Sequence, residues 1–167
     1  MKVYKYIKGK TEVDYFFVKG HLDIDPEYYI KKIEEAPRFD HKSNILGLMT
    51  EWNYFVKDKM FFKQIMIPIL NLLQEEDFDH LYLLKEAWGF KEGFSEYTRQ
   101  HTHRPCFLSG AVMLNEHSQS LMFNDLKEKL DSKPGNFCIF SSFIKHGNKI
   151  NSVDEPRYGL SFNLKYI

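Results

Sequence analysis

Beyond residue 80 the chain breaks into short pieces. Segments 81–88, 94–99, 107–114, 120–123, 136–140, 144–148 and 158–166 each read as strands, rich in aromatic and β-branched residues, with Gly, Pro, Asn or Asp between them. The helical signals all lie earlier. Helices first and a run of short strands afterwards indicates an α+β, β-rich chain: an antiparallel sandwich or open barrel flanked by N-terminal helices. An aromatic content of 16% suits such a core.

The first half supplies the supporting elements. Residues 3–7 and 12–18 are strand candidates, with a hairpin expected at Gly9-Lys10. Asp25-Pro26 is a cap followed by proline at the first helical position, Tyr29, Ile30 and Ile33 share one face, and Pro37 ends the helix. Residues 49–56 are ambiguous. Asp58 can cap a longer helix to about Gln74, with Phe61, Phe62, Ile65, Ile69, Leu72 and Leu73 as its apolar stripe and Pro68 predicting a kink or break. No repeat or linker interrupts the chain. One domain over 1–167 is therefore expected, with 1–79 as helical support and 80–167 as the β core.

Charge narrows the range of functions. Lys and Arg number 23 against 23 Asp and Glu, and no run of five like charges occurs, which argues against a nucleic-acid or anionic-membrane surface. The start lacks a signal-peptide pattern, and the greasiest stretch, 60–73, is interrupted by polar residues and Pro68. A cytoplasmic protein is the expectation. Cys106 and Cys138 form no CxxC pair and are expected to be reduced and packed as small apolar side chains.

The candidate site is in the last third. His101 and His103 lie two apart, so on extended chain both side chains face the same way, and Pro105 keeps the neighbourhood non-helical. His146 precedes Gly147, and Arg157 opens a strand on which Arg157, Gly159, Ser161 and Asn163 share one face. Three histidines and an arginine are the residues that a mononuclear iron site needs to hold both a metal and a dicarboxylate.

The stretch from Trp88 through Tyr97, His101-Thr-His103 and Ser109-Gly110, then Gly135 to Phe140, His146 and Arg157-Tyr-Gly-Leu-Ser161-Phe-Asn163, resembles the Fe(II)/2-oxoglutarate-dependent oxygenases, in particular a small group common in phages and marine bacteria. The resemblance covers residues 80–167 well and the N-terminal half loosely. It implies a double-stranded β-helix (jelly-roll, cupin-like) with Fe(II) and 2-oxoglutarate as cofactor and co-substrate. It also implies O2 and a small-molecule or peptide substrate as partners, and host cytoplasm as the location if the chain is phage-encoded. By position, His101 and His146 are ligands and Arg157 pairs with the C5 carboxylate of 2-oxoglutarate, its planar fork suiting a bidentate contact. Tyr97 is a candidate donor to the co-substrate, and Trp88 and Phe107 are candidates for shaping the pocket.

Two positions depart from the family pattern. His103 stands where a carboxylate is usual, and Gly159 where Ser or Thr is usual, with Ser161 able to supply the hydroxyl. His103 is then a third ligand, or a neighbour of a triad completed by Asp125, Glu116 or another carboxylate, or it leaves one coordination position to water or an anion. Two other functions fit the residues: a cupin-like three-histidine protein working without 2-oxoglutarate, and a non-catalytic phage accessory binding module.

Overall fold

The computed structural model describes residues 1–10, 14–37, 39, 43–75, 81–103 and 105–166. Strands β1 (Lys2–Lys10) and β2 (Asp14–His21) lead into helix α1 (Pro26–Glu35). Short strands β3 (Ile45–Leu46) and β4 (Leu48–Met49) follow, then helices α2 (Lys59–Phe61) and α3 (Ile67–Glu75), joined by a π-helical turn at Phe62–Met66. The remainder is β: β5 (Tyr82–Glu92), β6 (Tyr97–Thr98), β7 (Leu108–Met113), β8 (His117–Phe123), β9 (Glu128–Ser132), β10 (Asn136–Ser141) and β11 (Arg157–Tyr166). No described helix is long and apolar enough to cross a membrane.

Two β layers form. The larger is an antiparallel seven-stranded sheet in the order β1-β2-β10-β7-β11-β5-β4. The pairs β3–β6 and β8–β9 are joined by residues 146–148 into a second layer. There His101 and His146 exchange backbone hydrogen bonds of 3.0 and 3.1 Å, Asn148 N donates to Thr98 O at 3.1 Å, and Met122 and Gly147 exchange bonds of 2.8 and 3.2 Å. This is the expected double-stranded β-helix.

Side-chain alternation decides what each face of the large sheet meets. Val112, Phe137, Ile139, Leu160, Phe162 and Leu164 point outward, where they bury the apolar stripes of the helices: Tyr29, Ile33, Phe61, Ile65, Ile69, Leu72 and Leu73. Phe17, Ala111, Met113, Cys138 and Phe140 point inward, toward Leu121, Phe123, Leu130 and Ile144 of the second layer. Each such large apolar side chain contributes about 1.5–3 kcal/mol on full burial. The arginine-headed face of β11 lies on the inner side.

Several expectations shift in detail. β1 continues through Lys10, which pairs with Asp14, so Gly9 and Lys10 are strand residues and not the hairpin turn; residues 11–13 lie outside the described residues. Gly9 lies beneath a ring: a Cβ there would lie 2.1 Å from Tyr15 Cζ. Pro68 does not end the helix, which continues through Glu75. The wide turn before it, in which Ile67 N donates to Phe62 O, absorbs the disruption. The 94–99 strand shrinks to Tyr97–Thr98 because Ser95, at φ 64°, makes a turn whose backbone bonds go to Asn151. Strand β9 was not anticipated: Glu-Lys-Leu-Asp-Ser reads as polar, but Glu128, Leu130 and Ser132 alternate inward.

The helical layer is tied together at Asp58, which caps α2. It accepts from Phe61 N at 2.9 Å, Tyr28 Oη at 2.8 Å and Lys32 Nζ at 2.7 Å. Burial alone would raise its pKa, but Lys32, the Phe61 amide and Tyr28 together hold it below the ordinary value. A depressed folded pKa stabilises the protein above the unfolded value of about 3.9, and that contribution is lost as pH falls through the folded value. Asp58→Asn is expected to cost about 1–3 kcal/mol at neutral pH. In urea unfolding repeated at falling pH, the gap between variant and parent should close below pH of about 4.

Candidate metal and dicarboxylate site

The site lies between the two β layers, where β6 and the chain after it approach residues 144–148. His101 and His103 follow β6 on extended chain, and the backbone pairing of His101 with His146 draws the third imidazole alongside. His101 Nδ1 donates to Arg99 O at 2.7 Å, and His146 Nδ1 donates to Ile144 O at 3.0 Å. Because a carbonyl can only accept, these contacts fix the tautomers and leave both Nε2 lone pairs free. His103 Nε2 sits 3.0 Å from His101 Nε2 and 3.0 Å from His146 Nε2.

Packing fixes the rings. Phe140 meets His146 edge-on at 4.6 Å between centroids, Phe123 stacks on it at 5.7 Å, and Trp88 lies 5.8 Å from His103. Burial keeps all three imidazoles neutral near pH 7. It lowers the His101 pKa, pushes His103 down to about 3 with help from the neighbouring His101, and holds His146 well below its ordinary value.

Donor chemistry and spacing fit a metal ion. Two cis ligands at about 2.1 Å from one ion are about 3.0 Å apart, which matches the separations of His103 Nε2 from its two neighbours. Neutral imidazole suits iron. Among the described residues, the cluster of potential ligand atoms within 4.8 Å of one another consists of these three histidines and no carboxylate. Neither Glu116 nor Asp125 lines the adjoining chamber, so the structure brings neither to the cluster.

A narrow chamber leads from the imidazoles to Arg157 and is also lined by Thr98, Trp88, Phe90 and Ser161. Strand register sets Arg157 opposite Glu92. Both are almost fully buried, with Nε donating to Glu92 Oε2 at 3.0 Å and Nη2 2.9 Å from the same oxygen. That Nη2 contact is off the line of a hydrogen bond, so Nη1 and Nη2 have no hydrogen-bond partner among the described residues. Thr98 Oγ1 and Asn148 Nδ2 also donate to the Glu92 carboxylate. Burial draws the Arg157 pKa down, with Glu92 opposing it. The guanidinium lies over the Phe90 ring, 5.2 Å from its centroid. The same ring explains Gly159, where a Cβ would come within 2.4 Å of Phe90 Cζ.

His101, His103, His146, Arg157 and Ser161 thus converge on one chamber, and Trp88 walls it as anticipated. Tyr97 does not line it. Its strand neighbour Thr98 does, as alternation requires. Phe107 is also elsewhere: it is partly exposed, stacks on Tyr82 and lines a separate cavity beside β1 and β2. Sequence reasoning missed Glu92, Thr98 and Asn148. For Glu92 the available signal was an acidic residue two positions beyond the apolar run Ala87 to Phe90.

The double-stranded β-helix brings three converging imidazoles and a buried arginine to one chamber. No protein-family model and no curated protein sequence matches the chain. Solved structures match it clearly, and the fold is that of Fe(II)/2-oxoglutarate-dependent oxygenases. The viral collagen prolyl hydroxylase of Paramecium bursaria Chlorella virus-1, in its 2OG complex, superposes with a TM-score of 0.66 at 12% identity, over 90% of this chain and 96% of that one. A Pseudomonas putida prolyl-4-hydroxylase gives 0.63 at 10% identity, over 89% and 91%. HygX from Streptomyces hygroscopicus, with nickel, 2-oxoglutarate and hygromycin B bound, gives 0.62 at 9% identity, over 89% and 82%.

Proposed function

We propose that this chain is an Fe(II)/2-oxoglutarate-dependent oxygenase acting as a hydroxylase. His101, His103 and His146 hold the metal, and Arg157 grips the C5 carboxylate of 2-oxoglutarate. The observation that carries this reading is the pair of buried Arg157 Nη atoms, which make no hydrogen bond among the described residues, on a chamber that also holds three converging Nε2 atoms. A buried donor left without a partner is costly, and a carboxylate entering the chamber satisfies both at once. The same atoms weigh against a three-histidine protein working without a dicarboxylate.

Bound Fe(II) supplies the redox chemistry by which O2 converts 2-oxoglutarate to succinate and CO2 and hydroxylates a small-molecule or peptide substrate. The chain's own groups bind and orient. Carbonyl contacts at Nδ1 aim the His101 and His146 lone pairs into the chamber. Glu92 holds Arg157 through a hydrogen bond at Nε and an ion pair beside Nη2, leaving the hydrogen-bonding capacity of the terminal nitrogens to the ligand. Ser161 supplies the hydroxyl that Gly159 lacks, and Thr98 occupies the place expected of Tyr97. Trp88 and Phe140 exclude water. With three neutral ligands the ion keeps one more unit of positive charge than it would with a carboxylate in the set, which favours an anionic co-substrate.

The test is succinate formation by protein reconstituted anaerobically with Fe(II), then given 2-oxoglutarate and O2. The parent should form succinate and His146→Ala should form none. Iron-loaded parent protein that forms none would contradict the reading.

A further inference from the structure

Outside the imidazoles lies a second cavity, a cleft of 290 Å³ lined among others by Trp52, Lys85, Glu86, Trp88, His101 and His103. His101, His103 and Trp88 border both this cleft and the inner chamber, so a ligand in the cleft abuts the proposed metal site, and Arg157 lines only the inner chamber. Two charged side chains from adjacent positions of one strand reach this cleft. A register shift makes that possible: Asn163 pairs with Glu86 and Leu164 with Leu84, leaving Lys85 as the extra residue of a bulge.

The carboxylate is held by buried groups. Asn163 Nδ2 donates to Glu86 Oε2 at 2.7 Å, Ser109 Oγ donates to Asn163 Oδ1 at 2.7 Å, and Ser142 Oγ lies 2.8 Å from Ser109 Oγ. Asn163, Ser109 and Ser142 are all fully buried. Glu86 Oε1 is 3.1 Å from Lys85 Nζ, and both side chains remain partly exposed. Independently, Trp88, only 2% exposed, carries a buried Nε1–H with no hydrogen-bond partner among the described residues.

We propose that this cleft binds the head group of a free α-amino acid, with Glu86 taking the ammonium and Lys85 the carboxylate. Backbone bond lengths put the α-ammonium nitrogen about 3 Å from its carboxylate oxygen. That dipole can lie antiparallel to a Lys–Glu pair of the same length. The edge-to-face indoles of Trp52 and Trp88, 4.8 Å between centroids, wall the cleft beside the ligand's side chain, and the Trp88 Nε1–H supplies a further donor. Only the description of the ligand as a substrate rests on the oxygenase reading.

The twenty common L-amino acids and their Nα-acetyl derivatives, offered singly to the Zn(II)-loaded protein, test this by saturation-transfer NMR. At least one free amino acid should bind, and its acetyl derivative should bind at least tenfold more weakly. Glu86→Gln, which keeps an acceptor for Asn163, should weaken the free amino acid at least tenfold, and Lys85→Met should do the same, while each variant melts within a few degrees of the parent. Binding of none of the twenty, or equal binding by parent and Glu86→Gln, would overturn the proposal. Glu86-dependent amino acid binding by a protein that forms no succinate would sustain it and refute the oxygenase reading instead.

Discussion

Arg157→Ala is expected to cost about 3–5 kcal/mol of folding stability, a large part of the 5–15 kcal/mol typical of a domain. The cause is the partner left behind. Glu92 is fully buried, and its remaining donors, Thr98 and Asn148, are neutral. Loss of 2-oxoglutarate binding in this variant alone would therefore not separate a missing contact from a missing fold. Glu92→Gln with Arg157→Met removes both charges and preserves volume, which by the same argument is near neutral or stabilising. Urea unfolding should find the double variant close to the parent and the single variant far below it. The folded double variant should still bind 2-oxoglutarate at least about 30-fold more weakly than the parent, the equivalent of about 2 kcal/mol.

His101→Ala is expected to weaken metal binding by more than the roughly 10–100-fold that changes around a ligand shell cost, because it removes a ligand outright. His101 is the cleaner choice for this test, since His146 is packed between Phe123 and Phe140 and its truncation also opens a core cavity. Metal held at 100 times its dissociation constant stabilises the parent by about 2.7 kcal/mol. The His101 variant should show almost none of that gain at the same concentration, while its metal-free form melts close to the metal-free parent. Equal metal-dependent stabilisation of both proteins would remove His101 from the ligand set.

Much of this architecture is written locally in the chain. The caps at Asp25 and Asp58, the apolar stripes of the helices and the alternation of β11 are read within a few residues, and each element forms accordingly. His101, His103, His146 and Arg157 were legible as a candidate site, and the fold brings them to one chamber, because residue type and strand context together are uncommon. Glu92 was not, because its meaning comes from a partner 65 residues away, set opposite it by β5–β11 register. Thr98 was passed over for Tyr97 because the turn at Ser95 decides which of the two faces inward. Strand β9 looked polar because Glu128 is acidic, yet Lys5 and Lys19 reach across to it. Gly159 is explained only by the Phe90 ring, a contact between strands that no local pattern encodes.

If three imidazoles and Arg157 together hold Fe(II) and 2-oxoglutarate, binding of the co-substrate depends on both. The most direct measurement is an anaerobic calorimetric titration of 2-oxoglutarate into the Fe(II)-loaded protein, run beside the metal-free protein and the folded double variant at Glu92 and Arg157. One equivalent of 2-oxoglutarate should bind per chain, with binding strongly weakened by removing either the iron or the arginine. Binding that is absent from the iron-loaded parent, or unchanged when iron or Arg157 is removed, would rule out this joint site.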